Sequence, residues 1–455
     1  MSIRTIAAIA TAQGQGGIGV VRVSGDNAIF IVEKIFKSVS GKKLQEVKGY
    51  TAHYGKIFDD KEEIDEAIVT VFRQPYSYTG ENVVEISCHG GLYITKKVLE
   101  TVFKQGAVPA EPGEFTKRAF FNGKMELTQA ESIMEIIGAK GRQAARAALS
   151  VRNGALSKKI EDLKQILINI AAHLSVWADY PEDDIPEVEF NVLKENIVKV
   201  EAELKKLLSG YISTKAIREG IDTVIIGKPN VGKSTLMNAL SGCERCIVTD
   251  VPGTTRDIIE ETILLGDLML KVSDTAGIRE TDNLVESIGV EKAKDRMKEA
   301  ELVLAVFDAS RELDEDDFLI INSIKEVSSV AIINKSDLEK KIDDKFISKN
   351  FYKVIYVSAQ DGKGIEELEN AISDLIGFSE VDPSEGILAN ERQKNVAQKA
   401  LECVIEAKDA ISCGFTLDAI TVSLEAGISE LLNLTGERAT EAVVDRVFSK
   451  FCVGK

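Results

Sequence analysis

Apolar positions along this chain change their spacing three times, and each change marks a different kind of structure. In residues 1–118, β-branched runs at Ile18–Val23, Ala67–Phe72 and Val83–Ser87 are separated by turn residues, and a helical pattern covers Leu92–Phe103. This predicts an α+β domain. Then Leu156, Ile160, Leu163, Leu167, Ile170, Leu174 and Trp177 recur at spacings of four and three, one apolar seam of a long helix, and Leu193, Ile197, Val200, Leu204 and Leu207 repeat it. Between residues 220 and 378 short apolar runs, Thr223–Ile226, Leu268–Ser273, Val330–Ile333 and Val354–Val357, alternate with polar segments, which predicts parallel strands of an α/β unit. Beyond it the helical spacing returns at Val396, Ala400, Cys403, Val404, Ala407 and Ile411, and again at Val443, Val444, Val447, Phe448 and Phe451.

Helices on both sides of an α/β unit, each with a seam to cover, pack most simply as one bundle that the unit interrupts. The expected division is 1–118, 119–215, 216–379 and 380–455, with joints near Ser209-Gly210 and Asp382-Pro383, and a loop over Asp179–Glu189. At 455 residues about three domains are expected. The fold class is therefore multidomain α/β: an N-terminal α+β domain, a helical bundle domain, and a Ras-like α/β domain inserted into the latter.

The inserted unit carries the chemistry. Gly227-Lys228-Pro229-Asn230-Val231-Gly232-Lys233-Ser234 follows one apolar run and leads into Thr235 and a helical stretch, a phosphate-binding loop between strand and helix. In such a loop successive N–H groups face phosphates, Lys233 spans the outer ones and the Ser234 hydroxyl holds Mg²⁺. A Gly-rich turn before a buried helix is the bland alternative, but three further elements follow in order. Thr249, Asp250, Val251, Pro252, Gly253, Thr254 and Thr255 offer a second Mg²⁺ hydroxyl at Thr255. Asp274-Thr275-Ala276-Gly277 offers a carboxylate for the metal's water shell and an N–H for a γ-phosphate. Asn334-Lys335-Ser336-Asp337 places a carboxylate where guanine N1–H and N2–H₂ both donate, and Ser358-Ala359 supplies a further base-contacting loop. Adenine lacks that donor pair, and a site built to bond a group rejects analogues without it. Each tetrapeptide alone reads as a surface turn; together they make a GTPase.

The position after Gly277 that often orients the attacking water is Ile278, so hydrolysis needs another device. Glu286, twelve residues after Asp274, is the candidate, against a reading as a helix-capping charge. Arg256 and Arg279 are weaker finger candidates. The Asn230 amide oxygen is placed to hold a monovalent cation beside the β- and γ-phosphates, where it would supply the charge an arginine otherwise gives.

Composition narrows the setting. No apolar stretch approaches the roughly 18 residues of a membrane span, and the start Met1-Ser2-Ile3-Arg4 has no signal-peptide core, so a cytoplasmic protein is expected. Six scattered cysteines make no disulfide framework, and Cys243-Glu244-Arg245-Cys246 is one CxxC with only three histidines in the whole chain, which argues against zinc. Of the net charge of −17, most lies in residues 220–378, with 19 basic and 31 acidic side chains, so any RNA contact must come from elsewhere or from a basic partner. Arg142, Arg146, Arg152, Lys158 and Lys159 form a candidate patch, though a solvated helix face is the better reading. Gly14, Gly16 and Gly19 match GxGxxG, but a strand continues where a dinucleotide fingerprint needs a helix. Close backbone approach or a plain hairpin remains for them.

Several segments together resemble the MnmE (TrmE) family of bacterial tRNA modification GTPases over the whole length. They are Gly14-Gln15-Gly16-Gly17-Ile18-Gly19-Val20-Val21-Arg22, Tyr78-Thr79-Gly80-Glu81, Glu85-Ile86-Ser87-Cys88-His89-Gly90-Gly91, Glu111–Thr116, Arg118–Lys124 and the ending Phe451-Cys452-Val453-Gly454-Lys455. The resemblance implies an N-terminal folate-binding and dimerising domain, a helical domain and an inserted GTPase domain. It implies a homodimer that joins a GidA/MnmG-type FAD protein in a heterotetramer. That complex would place an aminomethyl or carboxymethylaminomethyl group on C5 of the wobble uridine of certain tRNAs, with a tetrahydrofolate derivative as one-carbon donor. By matched motif, Arg22, Glu85, Lys124 and Lys455 would contact the folate; Asn230, Thr249, Val251 and Thr254 would surround K⁺; Ser234 and Thr255 would hold Mg²⁺; Glu286 would assist the water. K⁺ would promote pairing of two GTPase domains and speed hydrolysis. Cys452 is a candidate nucleophile, set against a lone thiol with no His neighbour. An assembly or ribosome-associated switch GTPase is the alternative function, and it would favour a basic module after the GTPase unit rather than an acidic helical tail.

Overall fold

The computed structural model describes residues 4–179, 190–242, 260–266, 268–273, 300–324, 327–377 and 383–455. Two compact units emerge: one holds the described residues of 1–134, 160–187 and 415–455, the other those of 135–159 and 188–414.

The first unit is built on a seven-stranded sheet. Its strands are β1 (Ile6–Ile9), β2 (Ile18–Ser24), β3 (Phe36–Ser38), β4 (Thr51–Asp59), β5 (Glu62–Phe72), β6 (Val83–His89) and β7 (Val108–Pro109), in spatial order β3-β4-β5-β6-β2-β1-β7. Helices α1 (Ala28–Ile35) and α2 (Leu92–Lys104) turn Ile29, Val32, Val98 and Val102 into a core with Val21, Val23, Val69, Val84 and Ile86. Strand β1 is buried on both faces, whereas β2 and β6 alternate buried and less buried positions along most of their length and pair in a single register: Arg22 opposite Glu85, Ile18 opposite His89. A second, smaller core joins α3 (Glu114–Phe121) and α4 (Leu127–Gly138) to the chain's last helix through Ala119, Leu127, Ile133, Phe448 and Phe451.

Helices α5 (Arg142–Arg152), α6 (Ala155–Asp179) and α7 (Phe190–Glu219) follow. The α6 seam is as expected: Leu156, Ile160, Leu163, Leu167, Ile170 and Leu174 are buried, and Trp177 is half-buried. Asp179 ends this helix rather than opening a loop; residues 180–189 lie outside the described part. No break falls at Ser209-Gly210, because α7 runs through both. Leu207 and Tyr211 continue its buried face, and Thr214 Oγ1 donates back to Gly210 O at 2.9 Å. A single mid-helix glycine costs about 1 kcal/mol, less than that packing supplies. The turn comes instead at Gly220, whose φ of +86° suits glycine alone.

The second unit's sheet has six strands: β8 (Ile221–Ile226), β9 (Glu260–Leu265), β10 (Leu268–Ser273), β11 (Leu302–Asp308), β12 (Ser329–Asn334) and β13 (Lys353–Tyr356). Their order is β13-β12-β11-β8-β10-β9, parallel except for the edge strand β9. Every residue of β11 and β12 is buried, as expected of central parallel strands covered on both faces. Helices α8 (Lys233–Gly242), α9 (Glu315–Ser323) and α10 (Asp344–Ser348) lie between strands in the chain, and α11 (Ile365–Leu375) follows β13.

After the sheet come α12 (Glu391–Ser412), α13 (Leu417–Thr435) and α14 (Glu441–Phe448). Helix α12 packs on α7, where Glu201 accepts from Lys408 at 2.7 Å and Glu391 from the Tyr211 hydroxyl at 3.1 Å. Burial and the Glu391 carboxylate push that phenol up to about 12. The buried stripe of α12 includes Ala397, Ala400, Leu401, Val404, Ala407 and Ala410: the predicted Ala400, Val404 and Ala407 lie on it, while the predicted Val396, Cys403 and Ile411 lie half-buried beside it. Alanines win the centre because they let two helices approach closely. Likewise Val444 and Phe448 face inward on α14 while Val443 is exposed.

Candidate functional site

Two clusters of predicted site residues form, one in each unit. In the second unit the phosphate loop leaves β8 at Gly227 (φ +153°) and enters α8 at Lys233. A Cβ at Gly232 would collide with the Asn334 amide, so glycine is required there. Asn230 adopts φ +65°, a left-handed conformation that a short polar side chain tolerates. The Lys233 ammonium donates to the carbonyls of Gly227 and Lys228, both at 2.7 Å, and burial pushes it below the ordinary lysine range. A desolvated cation held by neutral oxygens fits an incoming phosphate. Ser234 and Thr235 are exposed at the start of α8, and Val231 is fully buried beneath the loop.

The base loop is bonded to the phosphate loop. Asn334 Nδ2 donates to Val231 O at 2.9 Å, and Ala359 N donates to Asn334 Oδ1 at 3.1 Å. Lys335 (φ +61°) reaches Asn230 O at 2.9 Å, and the Ser358 hydroxyl donates to Asp337 Oδ1 at 2.8 Å. The Asn334 amide is thus used in holding the two loops together, while the Asp337 carboxylate is exposed. Sequence reasoning missed Asp308, which ends β11 and accepts from Lys335 at 2.6 Å; an acid at a strand's carboxyl end was its only signal. It also missed Lys228, which pairs with Asp314 and Asp317 of the α9 cap.

Thr249, Asp250, Val251, Pro252, Gly253, Thr254, Thr255, Asp274, Thr275, Ala276, Gly277 and Glu286 lie outside the described residues, as do Arg256, Arg279, Cys243 and Cys246. Of the proposed K⁺ and Mg²⁺ ligands only Asn230 and Ser234 are described, both exposed oxygen donors beside the phosphate loop.

The first unit gathers Arg22, Glu85 and the chain's end. Arg22 Nε donates to Glu85 Oε1 at 2.9 Å and Nη1 to Gly454 O at 3.1 Å, with the guanidinium 5.5 Å from the Tyr78 ring centre and 5.6 Å from that of Phe115. Tyr78 is held by a 2.8 Å bond to Thr116, and its loop by the buried Glu81, which accepts from Ser24 at 2.7 Å and from Arg118 at 3.1 Å. Lys455 follows Gly454 directly; Lys124 donates to Pro75 O at 3.1 Å. Residues 10–17 join β1 to β2 as a long hairpin, with Gly19 already inside β2, and Gly16 N donates to Gly90 O at 3.2 Å. Close approach requires glycine only at Gly19, where a Cβ would meet the Thr95 side chain, and at Gly90, where it would meet the Gly16 carbonyl; at Gly14 and Gly16 the space is open, as in a plain hairpin. Nearby, Thr11, Gln13, Gly16, Gly19, Gly90 and Thr95 line a hollow of about 270 Å³. The Cys452 thiol is exposed.

The family descriptions "GTP-binding protein TrmE N-terminus" and "MnmE helical domain" match residues 5–124 and 127–452. The chain belongs to the MnmE family of tRNA modification GTPases. A protein of Thermoanaerobacter pseudethanolicus named "tRNA modification GTPase MnmE" is 45% identical, covering 100% of both chains. Proteins of the same name from Acetivibrio thermocellus and Clostridioides difficile are 44% and 43% identical, covering 99% of each chain. Among solved structures, the G domain of the T. maritima FeoB iron transporter is 25% identical with a TM-score of 0.26, covering 34% of this chain and 98% of that one. No helix among the described residues is long and apolar enough to cross a membrane.

Proposed function

We propose that this chain binds and hydrolyses Mg²⁺-GTP and uses the cycle to modify the wobble uridine of tRNA. The observation that carries the nucleotide half is the bonding of the base loop onto the phosphate loop through Asn334 and Val231, which leaves Asp337 and Lys233 to grip the two ends of one molecule. Asp337 selects guanine by accepting two N–H groups, and the Lys233 ammonium meets the terminal phosphates. Ser234 and Thr255 would hold Mg²⁺, which would neutralise charge at those phosphates. Asn230, Thr249, Val251 and Thr254 would hold K⁺, which would supply the positive charge of an arginine finger. Glu286 polarises the attacking water. The relatives' shared name supports tRNA as the substrate of the modification.

In this reading residues 1–118 bind the one-carbon tetrahydrofolate derivative and form the homodimer, 119–215 and 380–455 make the helical domain, and 216–379 are the inserted GTPase domain. What supports the folate assignment is the convergence of Arg22, Glu85 and the Gly454-Lys455 end on one patch, with a carboxylate for pterin donors and a cation for the glutamyl tail. An FAD-containing GidA/MnmG-type partner completes the enzyme as a heterotetramer, and C5 of the uridine receives the aminomethyl or carboxymethylaminomethyl group. Mass spectrometry of tRNA nucleosides from cells lacking the protein tests this: the wobble modification disappears. Intact modification with defective ribosomes would instead favour an assembly GTPase. Replacing K⁺ by Na⁺ sharply slows GTP turnover, and unchanged turnover removes Asn230 from ion binding.

A further inference from the structure

Strand β11 lies between β8, which feeds the phosphate loop, and β12, which feeds the base loop. Its last residue, Asp308, sits level with Asn334 across the ladder and is 7% exposed. Both carboxylate oxygens are used: Oδ1 accepts from Ser310 N at 2.9 Å and Ser310 Oγ at 2.7 Å, and Oδ2 accepts from Lys335 Nζ at 2.6 Å. Burial alone would push this acid up, but the Lys335 ammonium and the Ser310 donors outweigh it and hold it below the ordinary carboxylate range. The same ammonium donates to Asn230 O at 2.9 Å. Lys335 and Asn230 both adopt left-handed backbone, at φ +61° and +65°, so each is held where the surrounding bonds place it.

The geometry points to Asp308 as a positioning residue for guanine-nucleotide binding: its carboxylate fixes Lys335 against the Asn230 carbonyl and so sets the separation of the base and phosphate loops. This rests on the GTPase reading above and extends it to a residue that touches no nucleotide. A lysine held by one neutral carbonyl keeps several rotamers of similar energy; a buried carboxylate fixed from its far side by Ser310 selects one. The nucleotide then meets two loops already at the right spacing, and the ordering cost is not charged to binding.

Calorimetry with GDP on the full chain tests this with Asp308→Asn, Lys335→Met and the pair. The expected result is a GDP Kd raised about tenfold by Asp308→Asn, with Lys335→Met adding at most about twofold on top, since residues that act through one contact are not additive. The nucleotide-free melting temperature falls by a few degrees in Asp308→Asn, because a buried charge-assisted network is lost, and Lys335→Met, which breaks the same bond, lowers it by no more than a similar amount. A Kd within twofold of the parent, or losses that multiply, would each overturn the proposal. Should Asp308→Asn fail to fold, Ser310→Ala, which frees one carboxylate oxygen, is expected to raise Kd about threefold, and an unchanged value overturns it equally. A parent chain that gives no heat with GDP sinks the GTPase reading itself, before any variant is compared.

Discussion

Arg22 and Gly454 are 432 positions apart, yet the guanidinium of one donates to the carbonyl of the other at 3.1 Å. That bond seats the last residues of the chain beside the Arg22–Glu85 pair on the first sheet. Gly454 adopts φ +97°, and a Cβ there would run into the Ile9 carbonyl. Gly454→Ala therefore combines backbone strain of about 1–3 kcal/mol with a direct clash, and the tail lifts away. The expected outcome by calorimetry is loss of reduced-folate binding with GDP affinity unchanged. Full folate affinity in this variant would take Lys455 out of the site.

Asp337 is the exposed carboxylate of the base loop, oriented by Ser358. Asp337→Asn replaces one acceptor by a donor, so guanine loses a charged hydrogen bond and faces a like N–H, a cost of about 3 kcal/mol. Xanthine, with an oxygen at C2, gains what guanine loses. Competition binding of GDP against xanthosine diphosphate is expected to invert in this variant; a preserved guanine preference would move base reading to another residue.

Burial lowers the Lys233 ammonium, which makes its charge unfavourable in the nucleotide-free fold. A lysine whose folded value lies below the unfolded 10.5 binds fewer protons folded than unfolded, so stability rises with pH in the alkaline range below 10.5. Lys233→Met removes that rise and loses GDP binding, while its nucleotide-free melting temperature at neutral pH is at or above the parent's. The parent gains about 2.7 kcal/mol from GDP at a hundred times Kd. Thermal melts with and without nucleotide across pH 7–10 check both statements.

His89 Nδ1 lies 2.7 Å from Asp65 Oδ1, and His89 N donates to Asp65 Oδ2 at 2.8 Å. The Asp65 carboxylate raises the imidazole above its ordinary 6.5. A raised histidine favours the fold below its unfolded value and loses that contribution as pH climbs through the folded one. The ring is largely exposed and solvent screens the pair, so the place to look is the titration itself. Proton NMR is expected to give His89 a midpoint above 6.5 that returns to the ordinary value in Asp65→Asn. Equal midpoints in the two proteins would show the pair broken in solution.

How far the sequence reached varies by element. Long seams were legible: Leu156 to Leu174 and Leu193 to Leu207 fall on buried faces because a helix repeats its face every three to four residues whatever surrounds it. The stripe of α12 was legible at Ala400, Val404 and Ala407 but not at its edges, where the larger Val396, Cys403 and Ile411 carry more hydrophobic signal than Ala397 and Ala410, which packing buries instead. The continuity of α7 past Gly210 was hidden for a related reason, since a glycine's cost is local while the packing that outweighs it is not.

The phosphate loop and the base loop were readable because their chemistry needs particular residues at fixed short spacings: a small residue at Gly232, a cation at Lys233, an amide and a carboxylate at Asn334 and Asp337. Contiguous sequence determined those, and with them the fold class and the family. Tertiary structure alone decided that Asp308 would brace Lys335, that Arg22 would lie over Tyr78 and Phe115, and that the final Gly454 would close on Ile9. Each of these joins residues far apart in the chain, and such pairs are selected by the register of a sheet or the meeting of two packed surfaces rather than by any spacing along the chain.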